Sequence, residues 1–257
     1  MLKEIFIAIR SFKLAHTFIR EKNLLKWVLI PGILYAGFFY YFLFYFLASY
    51  NASTNWLFET LHLQQRFSYL QDTVWQFLFI TGKVFFDILL LLACFSFYKS
   101  FFLLFASPLF VFLSSKISHP EFSLTDITRD SIKRDMWRGF WVSFRTGLWA
   151  IVFMISLLLI AVVPLIGWFT PLLFFVIDMY YTGTDMLAYA KIGMGKMDKA
   201  PAFIFPEHKG LAIGTGLLFY AMHFIPVVGW VFATGYAVVA ATLGLQKISN
   251  NQTAITE

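Results

Sequence analysis

The chain contains the same short phrase twice, each time between two long apolar runs. Each copy places Pro, Gly and Trp in the same order, at Pro164, Gly167 and Trp168 and again at Pro226, Gly229 and Trp230. Because proline cannot continue a helix and glycine accepts turn conformations closed to other residues, each phrase predicts the bend of a helical hairpin. The residues around both bends carry almost no charge, which suits a lipid or protein interior. We therefore expect two hairpins inserted tip first into a membrane.

The composition excludes a soluble domain. Hydrophobic residues make up 60% of the 257 residues and charged residues only 13%, whereas a soluble domain carries roughly a quarter charged residues. The formal net charge of +6 comes mostly from segments beside the apolar runs. In that position it predicts orientation and contact with the anionic headgroups of the lipid bilayer, rather than nucleic acid binding.

The apolar runs predict an all-α integral membrane protein with two long transmembrane helices and two Pro/Gly-tipped hairpins. The run after Val74 is longer than one crossing needs, so it either extends past the membrane or breaks near Pro108. The predicted divisions of this single membrane domain are a basic amphipathic segment (1–26), two transmembrane helices (27–113), an amphipathic surface helix (114–138), hairpin 1 (139–190), a basic linker (191–209), hairpin 2 (210–247) and a frayed tail (248–257).

Basic residues predict the orientation of the chain. Six lysines and arginines precede the first crossing, whereas the segment 51–73 contains only Arg66. The positive-inside rule places the N-terminus in the cytoplasm, and both hairpins then leave and re-enter on that side. Charge counting leaves open whether the hairpins cross the membrane fully or half-way.

Ionisable residues at membrane depth are candidate pathway residues, because burying charge there is costly. Lys83 and Asp87 lie four positions apart and share a helical face, either as a self-neutralising pair near an interface or as part of a transport path. Asp178 and Asp185 also share a face, which indicates either a water-facing pathway or a packing role at the rim.

Two further ionisable residues, Arg145 and His223, lie on the rising arms of the two hairpins. Each is isolated in sequence, so a snorkelling or hydrogen-bonded side chain is the favoured interpretation over a pathway role. The histidines lack metal-ligand spacing, and no nucleophile has a plausible base. We predict no catalysis, no metal site and no cofactor.

The order and spacing of several motifs resemble the bacterial CysZ sulfate permeases and the wider etoposide-induced-protein 2.4 domain family, from about Ile5 to Leu243. The motifs that carry the resemblance are Lys26-Trp27-Val28-Leu29-Ile30-Pro31, Ser107-Pro108-Leu109, Val163-Pro164-Leu165-Ile166-Gly167, Ile225-Pro226 and Ala237-Val238-Val239-Ala240-Ala241-Thr242.

The resemblance implies two hairpins that only half-penetrate, a homo-oligomer, a multi-pass location in the inner cell membrane and sulfate conduction that feeds cysteine synthesis. In that family a Gly-Leu-Arg-like motif before the first membrane helix binds sulfate. The matching residues here are Asn23, Leu24 and Leu25, followed by Lys26. A helix N-terminus with free N–H groups still favours an anion, and Lys26 adds a point charge.

Two functions follow as predictions. The first is an anion permease or channel that resembles CysZ, with basic residues at the cytoplasmic mouth that concentrate a small inorganic anion. The alternative is a membrane scaffold that binds a protein or lipid partner and transports nothing, with the basic residues around Lys133 and Arg134 in contact with lipid.

Overall fold

Every secondary structure element in the described part of the chain is helical. The structure is a computed structural model that describes residues 1–60, 73–118, 129–161, 167–195 and 207–256. The elements are α1 (Leu2–Glu21), α2 (Leu25–Thr60), α3 (Thr73–Ser118), α4 (Arg129–Ala161), a 3₁₀ turn (Gly167–Phe169), α5 (Thr170–Gly193), α6 (Lys209–His223) and α7 (Val228–Thr256). The predicted all-α fold class is confirmed.

Four of these helices are long and apolar enough to cross a membrane. The qualifying stretches are Leu25–Ser49 in α2, Asp87–Ser118 in α3, Lys133–Ala161 in α4 and Val228–Asn250 in α7. Only 11% of the α4 stretch is buried inside the protein, whereas 67% of the α7 stretch is buried. The apolar surface of α4 therefore faces lipid, and α7 belongs to the interior.

Helix α3 continues through Pro108, which decides one alternative that the sequence left open. A proline has no N–H group, so it cannot donate to the carbonyl four residues earlier, which here belongs to Leu104. The Ser107 hydroxyl donates to that carbonyl instead, at 2.9 Å. Since Ser107 is fully buried, this bond replaces the missing one where no bulk water reaches, and α3 extends to Ser118 without a break.

Two predicted boundaries differ from the structure. The charged segment was expected to form a separate surface helix ending at residue 138, yet Arg129–Ala161 is one helix. At Gly139, inside this helix, the missing Cβ lets α4 approach the Val111 side chain of α3, which an added Cβ would meet at 2.9 Å. Residues 119–128 lie outside the described part. The expected frayed tail is also helical as far as Thr256.

The second hairpin bends at the predicted phrase. Helix α6 ends at His223 and α7 begins at Val228, and Val227 between them has a positive φ of 62°. The Trp230 indole N–H donates to the carbonyl of His223 at 3.0 Å, which satisfies one of the last carbonyls of α6. Gly229 packs against the carbonyl of Met222, where a side chain would not fit.

The bend of the first hairpin is described only in part. Pro164 lies outside the described residues, while Gly167 opens the 3₁₀ turn that leads into α5. Trp168 in that turn stacks on Phe85 of α3 at 6.0 Å between ring centroids. The two arms, α4 and α5, pack against each other as the hairpin prediction requires.

Helix α5 occupies the centre of the molecule and contacts α3, α4, α6 and α7. Its approach to α6 depends on two glycines, because a Cβ on Gly183 would overlap the carbonyl of Ala212 and one on Gly216 would overlap the carbonyl of Met179. On α6, Gly210 and Gly214 allow α1 to approach just as closely. The spacing of four residues between these small side chains in the sequence is typical of close helix packing.

Candidate functional site

Helix α3 contains a buried lysine at the centre of its apolar run. Lys99 is the only charged residue between Asp87 and Lys116, and 2% of its surface is exposed. A buried ammonium group is costly unless it is paired and hydrogen-bonded. Its partners therefore define the first candidate site.

All hydrogen-bonding directions of the Lys99 ammonium group are occupied. Its Nζ lies 2.7 Å from Oδ1 of Asp178, 2.5 Å from the Thr182 hydroxyl oxygen and 2.9 Å from the Tyr220 hydroxyl oxygen. The Tyr220 hydroxyl in turn donates to Oδ2 of Asp178, and the Ser96 hydroxyl donates to Oδ1 at 2.5 Å. Three helices (α3, α5 and α6) thus meet at one buried ion pair.

Local geometry explains why these groups meet. Ser96 and Lys99 are three residues apart on α3, and Asp178 and Thr182 are four apart on α5, so each pair shares a helical face. Tyr220 reaches the pair because Gly216, one turn earlier on α6, allows that helix to touch the backbone of α5. The Lys99 Nζ also lies 5.2 Å from the centroid of the Tyr220 ring.

Asp185 lies two turns further along the same face of α5. It is 6% exposed, and its Oδ1 has no hydrogen-bond partner among the described residues. The side chain of Thr146 on α4 lies beside this carboxyl group, and the charges of Lys99 and Asp178 act on it. A buried carboxyl oxygen without a hydrogen-bond partner is stabilised when it binds water, a proton or a cation.

Polar contacts continue from Asp185 toward the end of α5. The hydroxyl groups of Ser143 and Tyr189 lie 2.6 Å apart, and those of Ser114 and Thr242 lie 3.1 Å apart. Both pairs are buried. Together with the Lys99–Asp178 pair and Asp185 they form a polar seam, made of Lys99, Asp178, Asp185, Ser143, Tyr189, Ser114 and Thr242, along one side of the central helix.

His223 lies near the seam, at the bend of the second hairpin. Its Nε2 is 3.1 Å from the Tyr35 hydroxyl and its Nδ1 is 2.8 Å from the carbonyl oxygen of Phe219. The rings of Phe95 and Tyr220 also surround it. This geometry matches the hydrogen-bonded interpretation that the sequence favoured for His223.

The remaining pathway candidates are Asp87, Lys83 and Arg145. Asp87 is half-buried in α3, and its Oδ1 has no hydrogen-bond partner among the described residues. The side chain of Lys83, its predicted partner, lies outside the described residues. Arg145 is exposed on α4.

The candidate anion-binding residues form the turn between α1 and α2. Asn23 has a positive φ of 51°, Leu24 is buried at 3% exposure, and Leu25 is 46% exposed. Lys26 is exposed at the start of α2. The neighbouring Trp27 packs on Phe112 at 4.8 Å, thirteen residues and therefore about 20 Å along α3 from Lys99. This turn and the buried ion pair are separate places in the molecule.

The chain matches the family described as sulfate transporter CysZ/etoposide-induced protein 2.4 over residues 10–233. It belongs to this family. The match runs from α1 into α7 and so contains the ion pair, Asp185 and the turn before α2. No curated protein matches the chain. The family and the four apolar helices together identify a membrane protein.

The far end of this CysZ/etoposide-induced protein 2.4 family member contains a second polar group, at the base of α6. Lys191 Nζ lies 2.8 Å from Oε2 of Glu207, and this hydrogen bond and charge hold the pKa of Glu207 below its ordinary value. Glu4 of α1 accepts from the backbone N–H of Gly210 at 2.9 Å and lies 2.9 Å from Nδ1 of His208. The base of α6 is thereby tied to α1 and α5.

Sequence reasoning found Asp178 and Asp185 but missed Lys99, Ser96 and Tyr220. Lys99 gave a usable signal, because it is a single cation in the middle of a long apolar run. Ser96 and Tyr220 gave none, since a serine and a tyrosine are common on such helices and only the packing of α3 and α6 on α5 turns them toward Asp178. Within the described ranges no three His, Cys, Asp or Glu side chains come together as a metal site would require.

Proposed function

We propose that this protein is a permease or channel for a small inorganic anion, with sulfate as the first candidate, in the inner cell membrane. The observation that carries the proposal is the buried Lys99 on the polar seam of the central helix. A lysine inside an apolar helix bundle offers an anion a partner there when the anion replaces the carboxylate that pairs with it. The family adds support, because its description names a sulfate transporter.

The paired Asp178 on α5 is compatible with this function. Carboxylates repel an anion unless they are paired with a cation. Asp178 is paired with Lys99 at 2.7 Å, so the pair presents little net charge, and hydroxyl groups dominate the rest of the seam. Weakly polar surroundings allow an ion to pass without being trapped.

The turn of Asn23, Leu24, Leu25 and Lys26 is proposed as the first contact of the anion on the cytoplasmic side. Its features suit an anion, since the N-terminus of α2 carries a partial positive charge and Lys26 is exposed beside it. The positive-inside rule supports a cytoplasmic N-terminus. Assembly as a homo-oligomer stays a prediction, to be checked by light scattering of the purified protein.

Partial insertion of the second hairpin is also part of the proposal. Helix α6 has 15 residues, which corresponds to about 22 Å of helix, less than a hydrocarbon core of about 30 Å. Both ends of that hairpin then lie on one side of the membrane. Maleimide labelling of a cysteine introduced at exposed Phe224 tests this, because a tip inside the bilayer reacts slowly from both sides.

The test of transport is uptake of radiolabelled sulfate into proteoliposomes. We expect uptake faster than into empty vesicles, with a several-fold loss in Lys26→Ala and in Lys99→Met. Lys13→Ala is the matched control, since Lys13 is an exposed lysine of α1. Uptake equal to that of empty vesicles, for sulfate and for a series of other anions, would end the proposal.

A scaffold is the second candidate function, favoured by one surface. At the start of α4, Trp137 and Trp141 are 60% and 49% exposed, and Lys133 and Arg134 are exposed beside them. Exposed tryptophan with basic residues is typical of contact with anionic lipid headgroups. Absence of anion flux, together with co-purification of a stable partner or lipid that Lys133→Ala/Arg134→Ala releases, would favour the scaffold.

A further inference from the structure

Asp178 lies in a set of donors that resembles an oxyanion-binding site. Its Oδ1 accepts from Ser96 at 2.5 Å and from Lys99 at 2.7 Å, and its Oδ2 accepts from Tyr220. These donors are one ammonium group and two hydroxyl groups. Carboxylates and inorganic oxyanions both accept hydrogen bonds from donors of this kind. The three donors come from α3 and α6, while the acceptor comes from α5.

Lys99 would keep two hydrogen-bond partners without Asp178. Lys99 is anchored by Thr182 at 2.5 Å and by Tyr220 at 2.9 Å, in addition to Asp178. All four side chains are buried, with Lys99 at 2% and Tyr220 at 6% exposure. A buried ammonium group without its carboxylate strongly attracts another anion.

The space around the pair excludes a second anion beside Asp178. The cavity that borders Ser96 and Asp178 has a volume of about 10 Å³, which is room for one water molecule. Its other walls are apolar side chains of α4 and α5. An oxyanion can therefore reach these donors only where the carboxylate leaves them.

We propose that Ser96, Lys99 and Tyr220 form a binding site for a small inorganic oxyanion, and that the Asp178 carboxylate occupies this site as an internal competitor that the anion displaces. The inference rests on the proposed permease function for the source of the anion. In this proposal the permeating ion contacts these three donors at the centre of the helix bundle. Binding of the anion then exchanges the partner of Lys99, and Asp178 takes up a proton as it leaves, so that no unpaired carboxylate faces the bound anion.

The test is chemical rescue of Asp178→Ala in detergent, with no transport involved. We expect sulfate and formate to raise the melting temperature of Asp178→Ala saturably, relative to chloride at equal ionic strength, and sulfate to bind at least tenfold more tightly than to the wild type. Adding Lys99→Met should abolish the response. Asp135→Ala is the matched control, since Asp135 pairs with Arg138 at 3.4 Å rather than with Lys99, and it should show no response.

Several results would overturn the proposal. One is sulfate affinity in Asp178→Ala no higher than in the wild type, and another is a response that survives Lys99→Met. If Asp178→Ala does not fold, Asp178→Asn takes its place, because it lacks the charge but keeps an oxygen acceptor. Failure of both variants to fold with and without sulfate also counts against the site, since the anion should replace the missing charge.

The binding assay separates this inference from the proposed function. Rescue without sulfate uptake by the wild type would leave the site standing and remove the permease. Uptake without rescue would keep the permease and remove the exchange at Lys99.

Discussion

Glu4 of α1 caps the N-terminus of α6, which lies 206 positions later in the chain. Its Oε2 accepts from the backbone N–H of Gly210 at 2.9 Å, and its Oε1 lies 2.9 Å from Nδ1 of His208. A capping oxygen on the same helix would usually come from the preceding residue. Here a carboxylate on another helix does this, which joins the amphipathic first helix to the second hairpin.

The first prediction concerns this cap. Glu4→Ala removes the acceptor for two donors, and we expect a loss of about 1 kcal/mol in stability, the usual effect of losing an N-cap. The stability of Glu4→Gln should lie between that of the wild type and that of Glu4→Ala, since its single amide oxygen replaces only part of the carboxylate. Thermal denaturation in detergent measures the difference. Glu21→Ala, an exposed glutamate at the other end of α1, is the control, and an equal loss there would refute the cap.

The second prediction concerns the bond that carries α3 through Pro108. Ser107→Ala leaves the partly buried carbonyl of Leu104 without its donor, and we expect a cost of about 1–2 kcal/mol. In Ser107→Ala/Pro108→Ala the backbone N–H of residue 108 can donate instead, so most of the loss should be recovered. A double-mutant cycle from unfolding in SDS measures the coupling. Additive effects of the two substitutions would contradict this account of the helix.

The third prediction concerns the contact between α5 and α6. A Cβ on Gly216 would overlap the carbonyl of Met179, so Gly216→Ala must push the two helices apart and move Tyr220 from Asp178. We expect a loss of about 1–3 kcal/mol, as for other overpacked interiors, together with loss of sulfate rescue in the Asp178→Ala background. Gly37→Ala is the matched control, because no atom lies within 4 Å of its added Cβ.

The fourth prediction concerns pH at the base of α6. The ion pair with Lys191 holds the pKa of Glu207 below its ordinary value. An acid with a lowered folded-state pKa adds stability above its ordinary pKa and loses it as the pH falls through the lowered value. The difference in melting temperature between wild type and Glu207→Gln should therefore be present above the ordinary pKa of glutamate, about 4.3, and vanish once the pH has fallen below the lowered pKa.

The size of that difference should be small. The Glu207 side chain is 69% exposed, so solvent screens the pair and we expect less than about 0.5 kcal/mol. High salt should reduce the difference further. A difference that grows as the pH falls would show that the pKa of Glu207 is raised rather than lowered.

The sequence predicted local features well, because they depend on neighbours along the chain. The bend at Pro226 and Gly229 follows from the backbone chemistry of those two residues. The close-packing role of Gly210 and Gly214 follows from their spacing on one helix face. Asp178 and Asp185 were found because charge in an apolar segment is rare whatever the fold.

Partners across helices could not be predicted in the same way. The continuity of α3 through Pro108 depended on one buried hydroxyl, and the close packing at Gly139 of α4 depended on the surface of α3. The prediction of a separate surface helix over 114–138 was wrong, because the pattern of charge indicates which residues are exposed and not where a helix ends.

The sequence by itself determined that this chain is a helical membrane protein, that it bends at two Pro/Gly phrases and that it places acidic groups on the central helix. Only the tertiary structure decided that Asp178 neutralises Lys99, that Ser96 and Tyr220 complete the pair, and that one oxygen of Asp185 has no partner among the described residues. The physical reason is the range of the interactions. Hydrophobic periodicity and turn chemistry act over a few residues, whereas a buried charge is satisfied by whichever groups packing brings within about 3 Å, and here three helices supply them.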